Sequence, residues 1–114
     1  MQQDTYFSFE GYTADLVKDL MKEINCPNNL EMDQNGSPTV REFLELSEQY
    51  PKTTYIGYSI RKPRSDYRVS IDGFYTQGLT AEQALDLMEL YGYADERSSQ
   101  KMEDGTYSVR FWWD

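Results

Sequence analysis

Between Thr13 and Pro27 the apolar residues Leu16, Val17, Leu20, Met21 and Ile24 recur at i, i+1, i+4, i+5 and i+8, one stripe of a 3.6-residue period. This predicts a helix that Thr13 caps and Pro27 bounds. After the polar stretch NCPNNLEMDQNGSP, a second helix is predicted with Ser37 as its cap and Pro38 at its first position, where a missing N–H costs nothing. Val40, Phe43, Leu44, Ser47 and Tyr50 then line one face, and Pro51 prevents continuation. The stretch GLTAEQALDLMELYG reads as a third helix. Thr80 and Gln83 form a capping-box pattern, Ala84, Leu85, Leu87, Met88 and Tyr91 supply the apolar side, and Gly92 terminates it.

Elsewhere the period is two. Thr54, Ile56, Tyr58 and Ile60 alternate with Tyr55, Gly57 and Ser59, and a second strand from Tyr67 to Tyr75 places Tyr67, Val69 and Ile71 on one face. The residues between them, RKPRSD, carry the turn formers Pro63, Ser65 and Asp66, so the two strands read as a hairpin. Arg97 to Met102 and Thr106 to Trp113 make a closing hairpin about Asp104-Gly105, with Tyr107, Val109, Phe111 and Trp113 alternating against Ser108, Arg110 and Trp112. Thr5 to Phe9 is a short candidate first strand. The order α-α-β-β-α-β-β predicts an α+β single domain, with an antiparallel sheet of four to five strands and three helices on one face. The expected helix-facing residues are Ile56, Ile60, Val69, Ile71, Val109 and Phe111. Tyr55, Phe74 and Trp112 would then share the opposite face with Arg68 and Arg110.

Length and composition agree with one domain: 114 residues, 39% hydrophobic, with seventeen aromatics, enough for one core and too few for two. MQQDTYFSFE has neither a basic nor an apolar leader region, and no run approaches the ~18 apolar residues of a membrane span, so a cytoplasmic location is expected. The single Cys26 has no internal disulfide partner and no cation nearer in sequence than Lys22 to activate its thiol. The chain contains no histidine, which removes imidazole bases, Ser-His and Cys-His pairs and His-bearing metal sites. Its seven glycines form neither a phosphate loop nor a dinucleotide fingerprint. A non-enzymatic protein without a cofactor is the expectation; a small enzyme built on paired carboxylates is the alternative.

Charge sets this chain apart more than its candidate chemistry does. The formal net charge is −9, divided as ten acids and four bases in residues 1–60, one acid and four bases in 61–68, and nine acids and three bases in 69–114. So negative a surface repels nucleic acid and anionic membranes and favours basic partners. The basic stretch RKPRSDYR reads as a solvated hairpin tip whose cations offset nearby acids. A cationic finger for an acidic partner is its second reading.

In EMDQNGSPTVREF, Asp33, Asn35, Gly36 and Glu42 stand at spacings that resemble positions three, five, six and twelve of the calcium loop of the EF-hand family. The resemblance implies a calcium-responsive module. It covers thirteen residues and departs at Glu31, whose extra methylene crowds a site with ligands at about 2.3–2.6 Å, and at Pro38. The incoming helix also stops short of the family's register. The favoured reading is an Asn35-Gly36 turn leading into a capped helix, with no metal ligand assigned.

Two polar ridges lie on the predicted helices: Glu42, Glu45 and Gln49 on the second, Glu82, Asp86 and Glu89 on the third, with no interleaved lysine. In the first helix, by contrast, Lys18 and Lys22 interleave Asp15, Asp19 and Glu23. Unpaired like charges at this spacing cost a few tenths of a kcal/mol each, so they are tolerated for solubility or serve a purpose. A purpose is a surface that mimics the phosphate array and docks on a basic nucleic-acid-binding protein. Ten tyrosines add interface-type contact area. In size, acidity, lack of catalytic residues and tyrosine content, the chain resembles the anti-CRISPR and antirestriction inhibitors of phages and mobile elements. That likeness implies a DNA mimic that binds a CRISPR or restriction nuclease; no motif carries it, so the partner-binding residues, Glu42, Glu45, Glu82, Asp86 and Glu89, come from the ridges alone.

Overall fold

The structure, a computed structural model, describes residues 5–114. Strand β1 (Tyr6–Tyr12) leads into α1 (Ala14–Ile24); a 3-10 turn at Asn29–Glu31 precedes α2 (Val40–Gln49), followed by β2 (Thr53–Ile60), β3 (Arg68–Leu79), α3 (Ala81–Leu90), β4 (Glu96–Lys101) and β5 (Tyr107–Trp112). This is the expected α+β domain, with the first strand longer than Thr5–Phe9. All neighbours in the five-stranded sheet are antiparallel, in the order β1-β2-β3-β5-β4. Because β5 lies between β3 and β4, those two run parallel, and β3-α3-β4 forms a split β-α-β crossover.

Side-chain caps fix the helix starts. Thr13 accepts the Leu16 N–H at 3.3 Å, and Thr80 and Gln83 close the capping box anticipated for α3. α2 departs from expectation: Thr39, not Ser37, is its cap. Thr39 Oγ1 accepts the Glu42 N–H at 3.2 Å, and Glu42 Oε1 accepts the Thr39 N–H at 3.0 Å. Ser37 is buried, accepts from Gln34 N–H and donates to the Pro38 carbonyl, so its hydroxyl is committed before the helix begins. Leu46 rather than Ser47 completes the buried face of α2.

The helix-facing side of the sheet reverses part of the expectation. Tyr55, Phe74 and Phe111 stand opposite one another across β2, β3 and β5, and Phe43 of α2 meets Tyr55, Phe74 and Trp113 edge-on. Tyr55 donates its hydroxyl to the Phe43 carbonyl. Val69, Ile71, Val109 and Phe111 face the helices as expected, but Ile56 and Ile60 lie on the other side, with Arg68, Arg110 and Trp112. A β-bulge is the cause: Ile56 pairs with Gly73 and Gly57 with Ile71, leaving Asp72 extra. Val69 and Ile71 before the bulge, and Phe74 and Thr76 after it, therefore share a face despite the change of parity. Gly57 sits at this join. A Cβ there would stand 2.0 Å from the Ser70 carbonyl oxygen and 2.9 Å from the Phe9 ring, so the Phe9 ring takes the space that a β2 side chain would otherwise fill.

β5 pairs only with the second half of β3, Gly73 to Leu79. The first half is completed by a side chain. The buried Asn29 amide donates to the Val69 carbonyl at 2.8 Å and accepts the Val69 N–H at 2.9 Å, as a neighbouring strand would, and the Trp113 N–H reaches the Asp72 carbonyl at 2.8 Å. Replacing Asn29 with alanine leaves two buried backbone groups unpaired, and urea denaturation should show a loss of about 2–4 kcal/mol with little change in slope. A loss under ~1 kcal/mol would mean that other groups complete this edge.

Candidate functional site

α2 and α3 lie side by side above the sheet, and the groove between them has a volume of about 630 Å³. Its floor is apolar, made by Leu46, Tyr50, Leu87, Leu90 and Tyr91, and its rim carries Glu42, Glu45 and Glu48 from α2 and Asp86 from α3. The floor follows from the stripe that buries each helix; Leu46 and Leu87 are core residues whose edges show in the groove. Leu90, by contrast, is 63% exposed at the last turn of α3. The fold thus brings together three of the five residues assigned from sequence, Glu42, Glu45 and Asp86. Glu82 and Glu89 lie on α3 outside the groove lining. Glu48 is a rim residue that the ridge reading passed over, although its spacing of three from Glu45 pointed to it.

No rim carboxylate forms an ion pair among the described residues, although Lys18 and Arg41 border Glu45 and Glu48 on the other flank of α2. Among the described residues the ion pairs are Arg41–Glu31, Arg61–Glu23, Arg64–Asp66 and Arg68–Asp66, none of which involves a groove carboxylate. Glu42 has a second duty, since its carboxylate closes the α2 capping box. Two groups beside it register the local field. Burial pushes the Tyr91 phenol up to about 12, with Tyr93, Glu42 and Tyr50 adding to the rise, and burial and then Glu42 raise Tyr93 as well. The arrangement offers carboxylate acceptors above apolar walls, which suits lysine and arginine side chains: the charged head meets the rim while the alkyl stem lies on Leu90 and Tyr91.

The other sequence candidates resolve differently. Gln34 to Ser37 form a turn with Asn35 at φ 53° and Gly36 at φ 77°, closed by the Ser37 N–H on the Gln34 carbonyl. Of the EF-hand-like positions, Glu31 pairs with Arg41 and Glu42 caps α2. Among the described residues no three acidic or cysteine side chains are grouped to hold a metal ion. In RKPRSDYR, Arg64 binds Asp66 through two hydrogen bonds of 2.9 and 2.6 Å, Arg61 pairs with Glu23, Lys62 lies over the Tyr67 ring, and Arg68 donates to the Tyr58 hydroxyl at 2.7 Å. Those cations are engaged within the chain. The sheet face away from the helices holds a polar network in which Gln34 joins Tyr58, Ser70 and Asp72; burial holds the Asp72 carboxyl above its ordinary value. Of the three aromatics expected there only Trp112 is present, since Tyr55 and Phe74 point into the core.

The raised Tyr91 phenol has a consequence at alkaline pH. The unfolded chain loses this proton near pH 10 and the folded one near 12, so the stability tied to the neutral phenol is complete below 10 and is lost as pH rises toward 12. Urea denaturation at a series of pH values should therefore show stability falling above pH 10, and Tyr91→Phe, which removes the ionising hydroxyl, should flatten that fall. An unchanged slope in the variant would assign the fall to other tyrosines, Tyr55 first. No helix among the described residues is long and apolar enough to cross a membrane. No family model matches the chain, and comparison with curated proteins and with solved structures returns no significant match.

Proposed function

We propose that the protein is a non-enzymatic interaction module whose α2–α3 groove receives a basic segment of a nucleic-acid-binding protein and so competes with that protein's nucleic acid. One observation carries this reading: four rim carboxylates, none of them ion-paired among the described residues, stand above an apolar floor on which Leu90 is exposed. Solubility alone accounts for scattered acids, but not for acids gathered around Leu90. A CRISPR or restriction nuclease is the class of partner that the acidic, histidine-free composition suggests, and the cytoplasm is where the two would meet. The field of a chain at −9 steers such a partner and speeds encounter at low salt, while the floor supplies the contact that outlasts screening.

The test is affinity capture by the tagged chain from a panel of nucleic-acid enzymes, at low and at high salt. A partner held at low salt should lose about tenfold or more in affinity to the combined variant Glu45→Lys, Glu48→Lys, Asp86→Lys, and less to Leu90→Asp, with binding weaker at high salt throughout. Glu42 is left unchanged because its loss would also uncap α2. A partner that the triple variant retains at full affinity would remove the groove from the interaction.

A further inference from the structure

The two edges of the sheet are built differently. On β1 the register shifts between Phe9 and Tyr12, and Gly11 at φ 72° lies within the break. Such a bulge twists an edge away from further pairing. β4 has no such break: Glu96 to Lys101 pair residue for residue with Trp112 to Tyr107, and all six residues are exposed. Its outer row of backbone N–H and C=O groups is therefore a straight, open template free of proline.

The side chains of β4 restrict what can add to it. Glu96, Ser98 and Gln100 lie opposite Trp112, Arg110 and Ser108 on the face away from the helices, while Arg97, Ser99 and Lys101 lie opposite Phe111, Val109 and Tyr107 on the helix side. Two copies joined antiparallel by a two-fold axis normal to the sheet keep their faces, so only residues of like parity can stand opposite each other. Centred on Ser98, that pairing sets Arg97 against Ser99 and Glu96 against Gln100, and brings Lys101 of the second copy toward Asp95, which stands just before β4 and accepts the Asp114 N–H at 2.7 Å. No like charges meet, and the symmetry makes the approach of Lys101 to Asp95 twice. Shifting the register two residues one way sets Arg97 against its own copy; shifting it the other way sets Arg97 against Lys101. Charge thus selects one register.

We propose that two copies of the chain join edge to edge through β4 in this register, making one antiparallel ten-stranded sheet. The join is small and is opposed by two net charges of −9, so it is a weak dimer that salt strengthens by screening. Groove binding is weakened by salt, so the two proposals fail independently.

Sedimentation equilibrium of the full chain at low and high salt tests it, with two variants that change net charge by the same amount. Gln100→Lys faces Glu96 of the second copy and should tighten the dimer about threefold; Ser99→Lys faces Arg97 and should weaken it by a similar factor. Both sites are exposed, and urea midpoints close to the parent's will show that each variant folds. If both variants tighten alike, net charge and not register governs association, and the pairing is wrong. A monomer at every concentration up to about 1 mM at either salt also overturns the proposal and leaves the edge to a strand of another protein.

Discussion

The half-paired strand β3 is the constraint from which the rest of the architecture follows. It is the middle strand of the sheet, yet β5 reaches only its second half, and a buried strand cannot leave its first-half N–H and C=O groups bare. Asn29 supplies one residue's worth of strand from a side chain, and the Trp113 N–H supplies another bond just past it. Anchoring Asn29 there fixes the path of the segment after α1, which turns around the edge of β3 so that Gln34 reaches Ser70 and Asp72 on the far face. The same segment then delivers Thr39 to begin α2. Where α2 lies, and hence where the groove opens, traces back to two hydrogen bonds on Val69.

The groove illustrates how stability and charge are kept separate in this chain. Its floor, Leu90 apart, belongs to or packs against the core, where Phe43, Phe74, Phe111 and Trp113 hold one another in stacked and edge-on pairs worth about 0.5–1.5 kcal/mol each beyond burial. Its rim carries repulsion of a few tenths of a kcal/mol per pair, which that core easily outweighs. Arginines that could have relieved the rim are engaged elsewhere, Arg41 with Glu31 and Arg61 with Glu23. The acidic field therefore persists because the cations are placed where they stitch loops to helices.

Much of the fold was legible in the sequence because it is local. The periods of α1 and α3, the Thr80–Gln83 box and the hairpin about Asp104-Gly105 depend only on near neighbours, and the structure has all of them. The failures are non-local or rest on competing local signals. Ser37-Pro38 outweighed the Thr39-to-Glu42 box, although both patterns were present; only the burial of Ser37 decides between them. Period two alone turns Ile56 and Ile60 inward, because they look more like core than Tyr55, Gly57 and Ser59, and nothing in β2 itself announces the extra residue at Asp72. The acidic ridges were visible as i, i+3 and i+4 spacings, but their division into groove and non-groove residues depends on how α2 and α3 lie together. That placement separates Glu82 and Glu89 from the groove and brings in Glu48.

The last strand leaves the two tryptophans, Trp112 and Trp113, adjacent in sequence and on opposite sides of the sheet. Trp113 is 1% exposed, ringed by Phe43, Phe74, Tyr91 and Phe111, and its indole N–H has no acceptor among the described residues. Trp112 is partly exposed, beneath Arg110, and donates to Asp114 at 2.8 Å. The chain thus carries two tryptophan fluorophores in unlike surroundings: a buried one, whose neighbour Tyr91 lines the groove floor and whose emission is expected toward the blue, and a partly exposed one on the far face, whose emission is expected further to the red. A ligand on the groove face and a ligand on the far face are therefore expected to change different parts of the unlabelled protein's emission.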